Sequence, residues 1–168
     1  MAKMRLVEIA HKPAIYVLVG LPGSGKSTWV KKNQAGCVIA SSDDYIEMVA
    51  KKEGKTYEEV FQNTIASAID HLNDTVSDAL REKNDLIVDQ TNLTRKKRMQ
   101  LLKKVPPEYT KIAVVFTVSD SELEQRLTRR GKETGKVIPP EVINRMRNMY
   151  TPPSTDEGFD KIINVGQS

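Results

Sequence analysis

Short apolar runs alternate along the chain with longer segments in which apolar residues recur every three or four positions. The short runs are rich in valine and isoleucine, which is typical of strands buried on both faces of a sheet. They are Ile15–Val19, Cys37–Ala40, Leu86–Val88, Ile112–Thr117 and Ile162–Val165. Because such runs alternate with helical segments, the sequence predicts an α/β fold with a central parallel sheet of about five strands flanked by helices.

Capping residues mark where the helices begin. Thr56 and Glu59 have the spacing of a capping box before the longest amphipathic segment, and Ser119 and Glu122 repeat it before a helix that runs towards Arg130. The apolar spacing of the longest segment predicts its buried face. The residues of that face are Phe61, Ile65, Ile69, Leu72, Val76 and Leu80.

A polar, glycine-containing segment follows Arg130 and predicts a mobile lid loop over residues 131–138. Pro139 and Pro140 then favour the start of another helix over Glu141–Met149. The whole chain of 168 residues fits one domain, 1–168, with an N-terminal extension over residues 1–13.

The composition argues against a disulfide-bonded, membrane-spanning or secreted protein. Cys37 is the single cysteine, so an intramolecular disulfide and a zinc site built on paired cysteines are excluded. No apolar run approaches the ~18 residues that a membrane span needs. The first residues carry charges without an apolar stretch, which is unlike a secretory signal. We therefore expect a cytoplasmic protein without membrane contact.

The charge is unevenly distributed. The chain has 26 basic and 22 acidic residues, but residues 95–150 alone carry 14 basic and 6 acidic groups. A basic block inside a folded domain indicates an anionic partner such as nucleic acid. A solvated, lysine-rich surface explains the same charge equally well.

Residues 20–28 read G-L-P-G-S-G-K-S-T, which fills the pattern G-x-x-x-x-G-K-[ST] directly after an apolar run. Glycines in such a loop let backbone N–H groups point at phosphate oxygens, and the following helix adds the positive end of its dipole. In this pattern Lys26 reaches the β- and γ-phosphates and Ser27 ligates Mg²⁺. The predicted nucleotide-binding residues are Gly20, Gly23, Ser24, Gly25, Lys26, Ser27 and Thr28.

Polar residues follow the next two predicted strands. Asp43 and Asp44 come after Cys37–Ala40, at the strand end where ligands bind in open α/β sheets. A kinase needs a carboxylate to orient and deprotonate its acceptor hydroxyl. We assign Asp43 as that base and Asp44 as the cap of the following helix. After Leu86–Val88, Asp89 is a candidate for holding Mg²⁺. The predicted substrate-binding residues here are Asp89, Gln90, Thr91 and Asn92.

Two groups of cations suggest contacts with an anion. After the predicted cap Thr94, the run R-K-K-R places cations in the first turn of a helix, where they oppose the dipole. We therefore assign Arg95 and Arg98 to substrate binding, against the alternative of a solvated face. Arg126 and Arg130 lie four residues apart before the lid loop, where they can offset charge on the transferring phosphoryl group. Arg129 points elsewhere.

The combination of motifs resembles a known enzyme family. The motifs G-L-P-G-S-G-K-S-T-W, S-S-D-D-Y, D-Q-T-N-L, R-x-x-x-R-G and V-I-P-P-E-V-I-N-R-M occur in that order between about residues 15 and 150. Together they resemble the kinase domain of phage polynucleotide kinases, and the tail is similar to the end of animal DNA-repair polynucleotide kinases. Ile46 and Gln90 depart from the phage pattern, which has an arginine and an aspartate at these positions.

The resemblance implies ATP and Mg²⁺ as cofactors and phosphorylation of a nucleic-acid hydroxyl. The expected acceptor is the 5′-OH end of DNA or RNA, with DNA favoured. It also implies Asp43 as general base, Arg126 and Arg130 as lid arginines, and the host cytoplasm if the chain is phage-encoded. Homo-oligomers occur among such proteins. Alternatives are a phage kinase of 5-hydroxymethyluracil in DNA, a small-metabolite P-loop kinase and an ATP-switched nucleic-acid-binding domain.

Overall fold

A computed structural model of the chain describes residues 12–166. The predicted N-terminal extension, residues 1–13, lies outside the described residues except for its last two. In this described part of the chain, five parallel strands form one sheet in the order β2-β3-β1-β4-β5. They are β1 (Ala14–Val19), β2 (Cys37–Ala40), β3 (Asp85–Val88), β4 (Thr110–Thr117) and β5 (Lys161–Gly166). The α/β fold and all five predicted strands are confirmed.

Within residues 12–166, six α-helices and one 3-10 turn connect and flank the strands. They are α1 (Lys26–Asn33), α2 (Ser42–Glu53), α3 (Tyr57–Arg81), α4 (Arg95–Leu102), α5 (Asp120–Thr134), α6 (Pro140–Met149) and the 3-10 turn Thr155–Glu157. The capping box of Thr56 and Glu59 is present at the start of α3. Ser119 accepts a hydrogen bond from the backbone of Glu122 as predicted, but the Glu122 carboxylate pairs with Arg126 instead of completing the box.

Side chains of β1 alternate between the two faces of the sheet, because successive residues of a strand point to opposite sides. Ile15, Val17 and Val19 pack in a core with α3, whereas Leu18 packs with Val30 of α1 on the other face. Both faces of β1 are therefore covered, which explains its continuous apolar run.

The buried face of α3 agrees with the prediction in the second half of the helix and is shifted by one residue in the first half. Val76 and Leu80 are buried, but Ile69 is exposed. In the first half the buried positions are Val60, Thr64 and Ala68. Val60 and Ala68 pack against Ile46 and Ala50 of α2, and the half-buried Phe61 and Ile65 pack at the edge of the same cluster.

The predicted lid loop is shorter than residues 131–138. Helix α5 continues through Gly131 to Thr134 and ends at Gly135, whose φ of 69° is the left-handed conformation that favours glycine at a helix end. The connecting segment to α6 is therefore 135–139, and within it Lys136 is buried. None of the described helices is long and apolar enough to cross a membrane.

Candidate functional site

A cleft of about 760 Å³ opens at the carboxyl ends of the strands. This is the edge at which open α/β sheets bind ligands. Its walls come from the loop between β1 and α1, the starts of α1 and α2, the segment after β3, and α5 with its following segment. The ends of β4 and β5 also contribute, through Thr117, Val118, Val165 and Gly166, which the sequence did not identify.

The loop from Gly20 to Gly25 has the geometry of an anion cradle. Gly23 and Gly25 have φ values of 81° and 110°, which side-chain-bearing residues rarely adopt. A Cβ at Gly20 would lie 2.6 Å from Ser24 Oγ. Gly25 caps α1, and no side chain makes a capping hydrogen bond there. The backbone N–H groups at the start of the helix can therefore bind an anion.

Lys26 reaches back across this loop. Its Nζ donates to the carbonyl oxygens of Gly20 and Leu21, each at 2.8 Å. Burial lowers the pKa of Lys26 to about 8, although Asp89 and Asp43 act in the opposite direction. The Ser24 hydroxyl is also buried and has no hydrogen-bond partner in the part of the chain that the structure describes. Both groups fit a bound phosphate, which would give the Lys26 ammonium a negatively charged partner and the Ser24 hydroxyl an acceptor.

The predicted magnesium ligands lie in the same cleft. Ser27 and Asp89 both line it, and hydroxyl and carboxylate oxygens are donors that suit Mg²⁺. Burial raises the pKa of Asp89 to about 6, against the lowering effect of Lys26. Residues 12–166 contain no cluster of three or more histidine, cysteine, aspartate or glutamate side chains that could hold a metal ion. A magnesium ion bound through one or two protein oxygens, water and phosphate remains consistent with these residues.

Asp43 lies in the first turn of α2 and its carboxylate is held by two donors. The Tyr57 hydroxyl donates to Oδ1 at 2.6 Å, and Lys136 Nζ donates to Oδ2 at 3.0 Å. Burial alone would raise the pKa of Asp43, but Lys136, the hydrogen bonds from Tyr57 and Lys136, and Arg130 together lower it. Asp43 is therefore ionised near neutral pH.

The prediction that Asp44 caps α2 is wrong. Ser41 is the cap, since its side chain accepts a hydrogen bond from the backbone N–H of Asp44 at 3.2 Å. Asp44 lies inside the first turn and lines the cleft. Burial, Glu47 and Asp43 raise its pKa.

The segment after β3 divides into two parts. Asp89, Gln90 and Thr91 line the cleft, and Gln90 exchanges hydrogen bonds with Ser42. Asn92 does not belong with them, because it is buried in the left-handed conformation and its Nδ2 donates to Leu18 O at 2.7 Å. The role of Asn92 in the structure is to fix this segment to β1.

Arg95 and Arg98 are not among the residues that line the cleft, and the burial of Arg98 argues against its assignment to substrate binding. Arg98 has 0% side-chain exposure and donates from Nε to Glu157 Oε1 at 2.8 Å. Arg95 binds both carboxylate oxygens of Asp156. The anions that pair with these cations at the start of α4 are therefore the carboxylates of Asp156 and Glu157, in the 3-10 turn of the same chain.

The arginines of α5 lie over the cleft. Arg126 Nη1 donates to Gly23 O at 3.2 Å, which joins α5 directly to the anion cradle. Arg130 lines the cleft as predicted, and Arg129 also lines it, contrary to our expectation that it points elsewhere. Sequence reasoning did not predict that Tyr57, Glu47 and Lys136 lie beside Asp43. Tyr57 stands at the start of α3 beside its cap, and a lone lysine in a loop belongs to no motif.

A family model of the AAA domain matches residues 15–153 of the chain. The chain belongs to the AAA domain family. Two curated relatives are the transcription factor bHLH140 of Arabidopsis thaliana, 26% identical over 90% of this chain, and the L-seryl-tRNA(Sec) kinase of Methanococcus maripaludis, 27% identical over 87%. The chain spans 16% and 56% of the lengths of these two relatives.

Solved structures share the architecture of this AAA domain protein. A protein of Chloroflexus aurantiacus superposes with a TM-score of 0.68 at 21% identity, covering 92% of this chain and 85% of that one. A chain of the Pnkp1/Rnl/Hen1 RNA repair complex superposes with a TM-score of 0.65 at 25% identity, covering 85% and 45%. The comparisons establish the AAA domain family and its fold, and they do not single out the phage polynucleotide kinases.

Proposed function

We propose that the chain transfers the γ-phosphoryl group of ATP to a hydroxyl of a nucleic acid, with a 5′-OH end as the principal acceptor. The observation that carries this proposal is the shared cleft of Lys26 and Asp43. A phosphate-binding lysine and an ionised carboxylate on one cleft are the two groups that phosphoryl transfer to an alcohol requires.

The residues divide the work as follows. The cradle, Lys26 and the arginines of α5 would hold the triphosphate and offset its charge. Ser27 and Asp89 would hold Mg²⁺, which neutralises phosphate oxygens when bound. Asp43 accepts the proton of the acceptor hydroxyl, whose oxygen forms the new bond to phosphorus as the bond to the ADP oxygen breaks.

A nucleic-acid acceptor is supported by the basic α5 side of the cleft and by two of the comparisons. The Methanococcus maripaludis relative is named for a tRNA substrate, and the Pnkp1 complex is named for RNA repair. We had favoured DNA over RNA, and these names give equal reason to test RNA.

A second candidate is a hydroxyl on a small or flipped-out group, such as a hydroxymethylated base or a metabolite. Helix α2 favours it, because Ile46 is fully buried where phage kinases have an arginine, and Asp44 and Glu47 line the cleft beside Asp43. Two carboxylates beside the base repel a phosphate at that position.

The test is transfer of label from γ-labelled ATP in the presence of Mg²⁺ at low salt. The acceptors are 5′-OH RNA, 5′-OH DNA, a hydroxymethyluracil duplex and a panel of sugar acids, with the matching 5′-phosphorylated oligonucleotides as blocked controls. Label on the 5′-OH strands and not on the blocked ones supports the proposal. Label on the modified duplex or on a sugar acid supports the second candidate. Nucleotide binding with no transfer to any acceptor contradicts both and indicates an ATP-switched binding domain.

A further inference from the structure

Lys136 is the most deeply buried charged residue among those that line the cleft. Its side chain is 6% exposed, although it lies in the short segment 135–139 between two helices. Its ammonium donates to Asp43 at 3.0 Å and to Glu47 at 3.3 Å, and lies 4.3 Å from the centre of the Tyr57 ring. A buried lysine is costly unless its charge is compensated, and these three contacts compensate it.

The position of Lys136 compensates for what α2 lacks. The buried Ile46 gives α2 no cation beside Asp43, and the neighbouring Asp44 and Glu47 are acidic. Lys136 brings a cation to this place from a residue 93 positions away in the chain.

We propose that Lys136 is a positioning residue for the candidate base: together with Tyr57 it fixes the Asp43 carboxylate in the orientation that receives the acceptor hydroxyl. This inference rests on the proposed kinase function. An ionised carboxylate has about four lone-pair sites, and the two donors occupy one on each oxygen. A site therefore stays available on each oxygen for an acceptor hydroxyl, and the carboxylate has little freedom to rotate.

The electrostatic surroundings of Asp43 support this role. The groups that face it are Lys136 and Arg130 from the α5 side, Tyr57 from α3, and Asp44 and Glu47 from α2. Lys26 and Asp89 act on it across the cleft. Without Lys136, the pKa of Asp43 would rise, because burial and the two neighbouring carboxylates would be opposed only by Tyr57 and Arg130.

The decisive variants are Lys136→Met and Lys136→Arg, with the exposed Lys132→Met of α5 as the matched control. We expect Lys136→Met to lower kcat roughly 10- to 100-fold, as misplaced catalytic groups do, with the KM for ATP unchanged. The acidic limb of the pH profile of kcat/KM should move to higher pH. Lys136→Arg should restore part of both, and Lys132→Met should change neither. Wild-type kcat and an unmoved acidic limb in Lys136→Met would overturn the inference.

A second measurement does not depend on finding the acceptor. Carboxyl ¹³C NMR, with Asp43→Asn to assign the resonance, gives the pKa of Asp43 in the free protein. We expect the pKa to be below the ordinary aspartate value in the wild type and higher in Lys136→Met. Equal values in the two proteins refute the inference even if the kinase is active. If the pKa shifts but the wild type phosphorylates no acceptor, the proposed function fails and the contact stands.

Discussion

Asp43 and Asp44 are adjacent in the chain and meet opposite surroundings. Asp43 faces Lys136 and the Tyr57 hydroxyl, and its pKa is lowered in spite of burial. Burial raises the pKa of Asp44, the neighbouring Glu47 and Asp43 add to this effect, and Lys136 opposes it without reversing it. Such divergence between neighbouring carboxylates is a recognised sign of different roles, and it supports the proposal that Asp43 is the base.

We predict that Asp43→Asn lowers kcat by roughly 100-fold or more, because an amide cannot take the proton of the acceptor hydroxyl. The KM for ATP should stay near the wild-type value, since Asp43 lies on the acceptor side of the cleft. Steady-state kinetics on the same acceptor gives both constants. Asp44→Asn serves as the comparison, and a larger loss of kcat in that variant would show that the two roles are reversed.

We predict that Lys26→Ala abolishes ATP turnover and weakens nucleotide binding. The variant removes the ammonium of the cradle, and its neighbours Gly20 O and Leu21 O would be left facing the site without a donor. Calorimetric titration with a non-hydrolysable ATP analogue measures the binding. The exposed Lys31→Ala at the end of α1 is the control. Turnover at the wild-type rate in Lys26→Ala would refute the P-loop interpretation.

At the scale of elements, α4 shows why its unfavourable charges are tolerated. Its first turn contains no acidic residue, but the 3-10 turn Thr155–Glu157 brings Asp156 and Glu157 against it. Arg98 also donates from Nη1 to Asn92 O at 2.9 Å. The tail therefore holds α4, and through Asn92 the segment that supplies Gln90 and Thr91 to the cleft.

We predict that Glu157→Gln lowers the free energy of unfolding by about 3–5 kcal/mol, because it leaves the buried charge of Arg98 without its partner. Urea denaturation measures the loss. Asp156→Asn, which breaks an exposed pair with Arg95, should change stability little, since exposed ion pairs contribute little. A loss in Asp156→Asn as large as in Glu157→Gln would contradict this view of the contact.

At the scale of the whole molecule, the basic block of residues 95–150 is partly neutralised by the chain itself. Arg95, Arg98, Arg126, Arg147 and Lys136 each pair with a carboxylate. Cations left for a polyanion include Arg129 and Arg130 at the cleft and the exposed lysines at the two ends of α4, and the latter are Lys96, Lys97, Lys103 and Lys104. Since Arg129 and Arg130 are the ones of these that line the cleft, we expect few phosphate contacts beside the reacting end.

We predict that kcat/KM for an oligonucleotide falls on the order of 10-fold as salt rises from ~50 to ~200 mM, which corresponds to two or three phosphate contacts. The KM for ATP at saturating acceptor serves as the control. ATP has no polymer backbone, so its KM should depend less on salt. Kinetics that do not respond to salt would favour the small acceptor.

The fold could be predicted from the sequence because the information is local. The apolar runs specify strands buried on both faces, and the cradle lies within residues 20–27, so its glycines and Lys26 are visible as one motif. The environment of Asp43 could not be predicted. Tyr57 and Lys136 are 14 and 93 positions away, and only the folded chain places them on the carboxylate.

The same reasoning explains the error at α4. A cluster of cations near a helix start indicates an anion, and the sequence cannot say whether that anion is a ligand or a distant part of the chain. The burial of Arg98 decides between these, because a fully buried arginine paired with Glu157 is not accessible to substrate.

The Arg98–Glu157 pair, formed 59 residues apart, sets a condition for grafting acceptor preference between homologues. A chimera that exchanges residues 89–98 alone would combine one parent's guanidinium with another parent's carboxylate at a point closed to water. The recombination unit that preserves the junction comprises this stretch and residues 154–157 together. A larger fraction of chimeras should fold when both stretches are exchanged together than when residues 89–98 are exchanged alone.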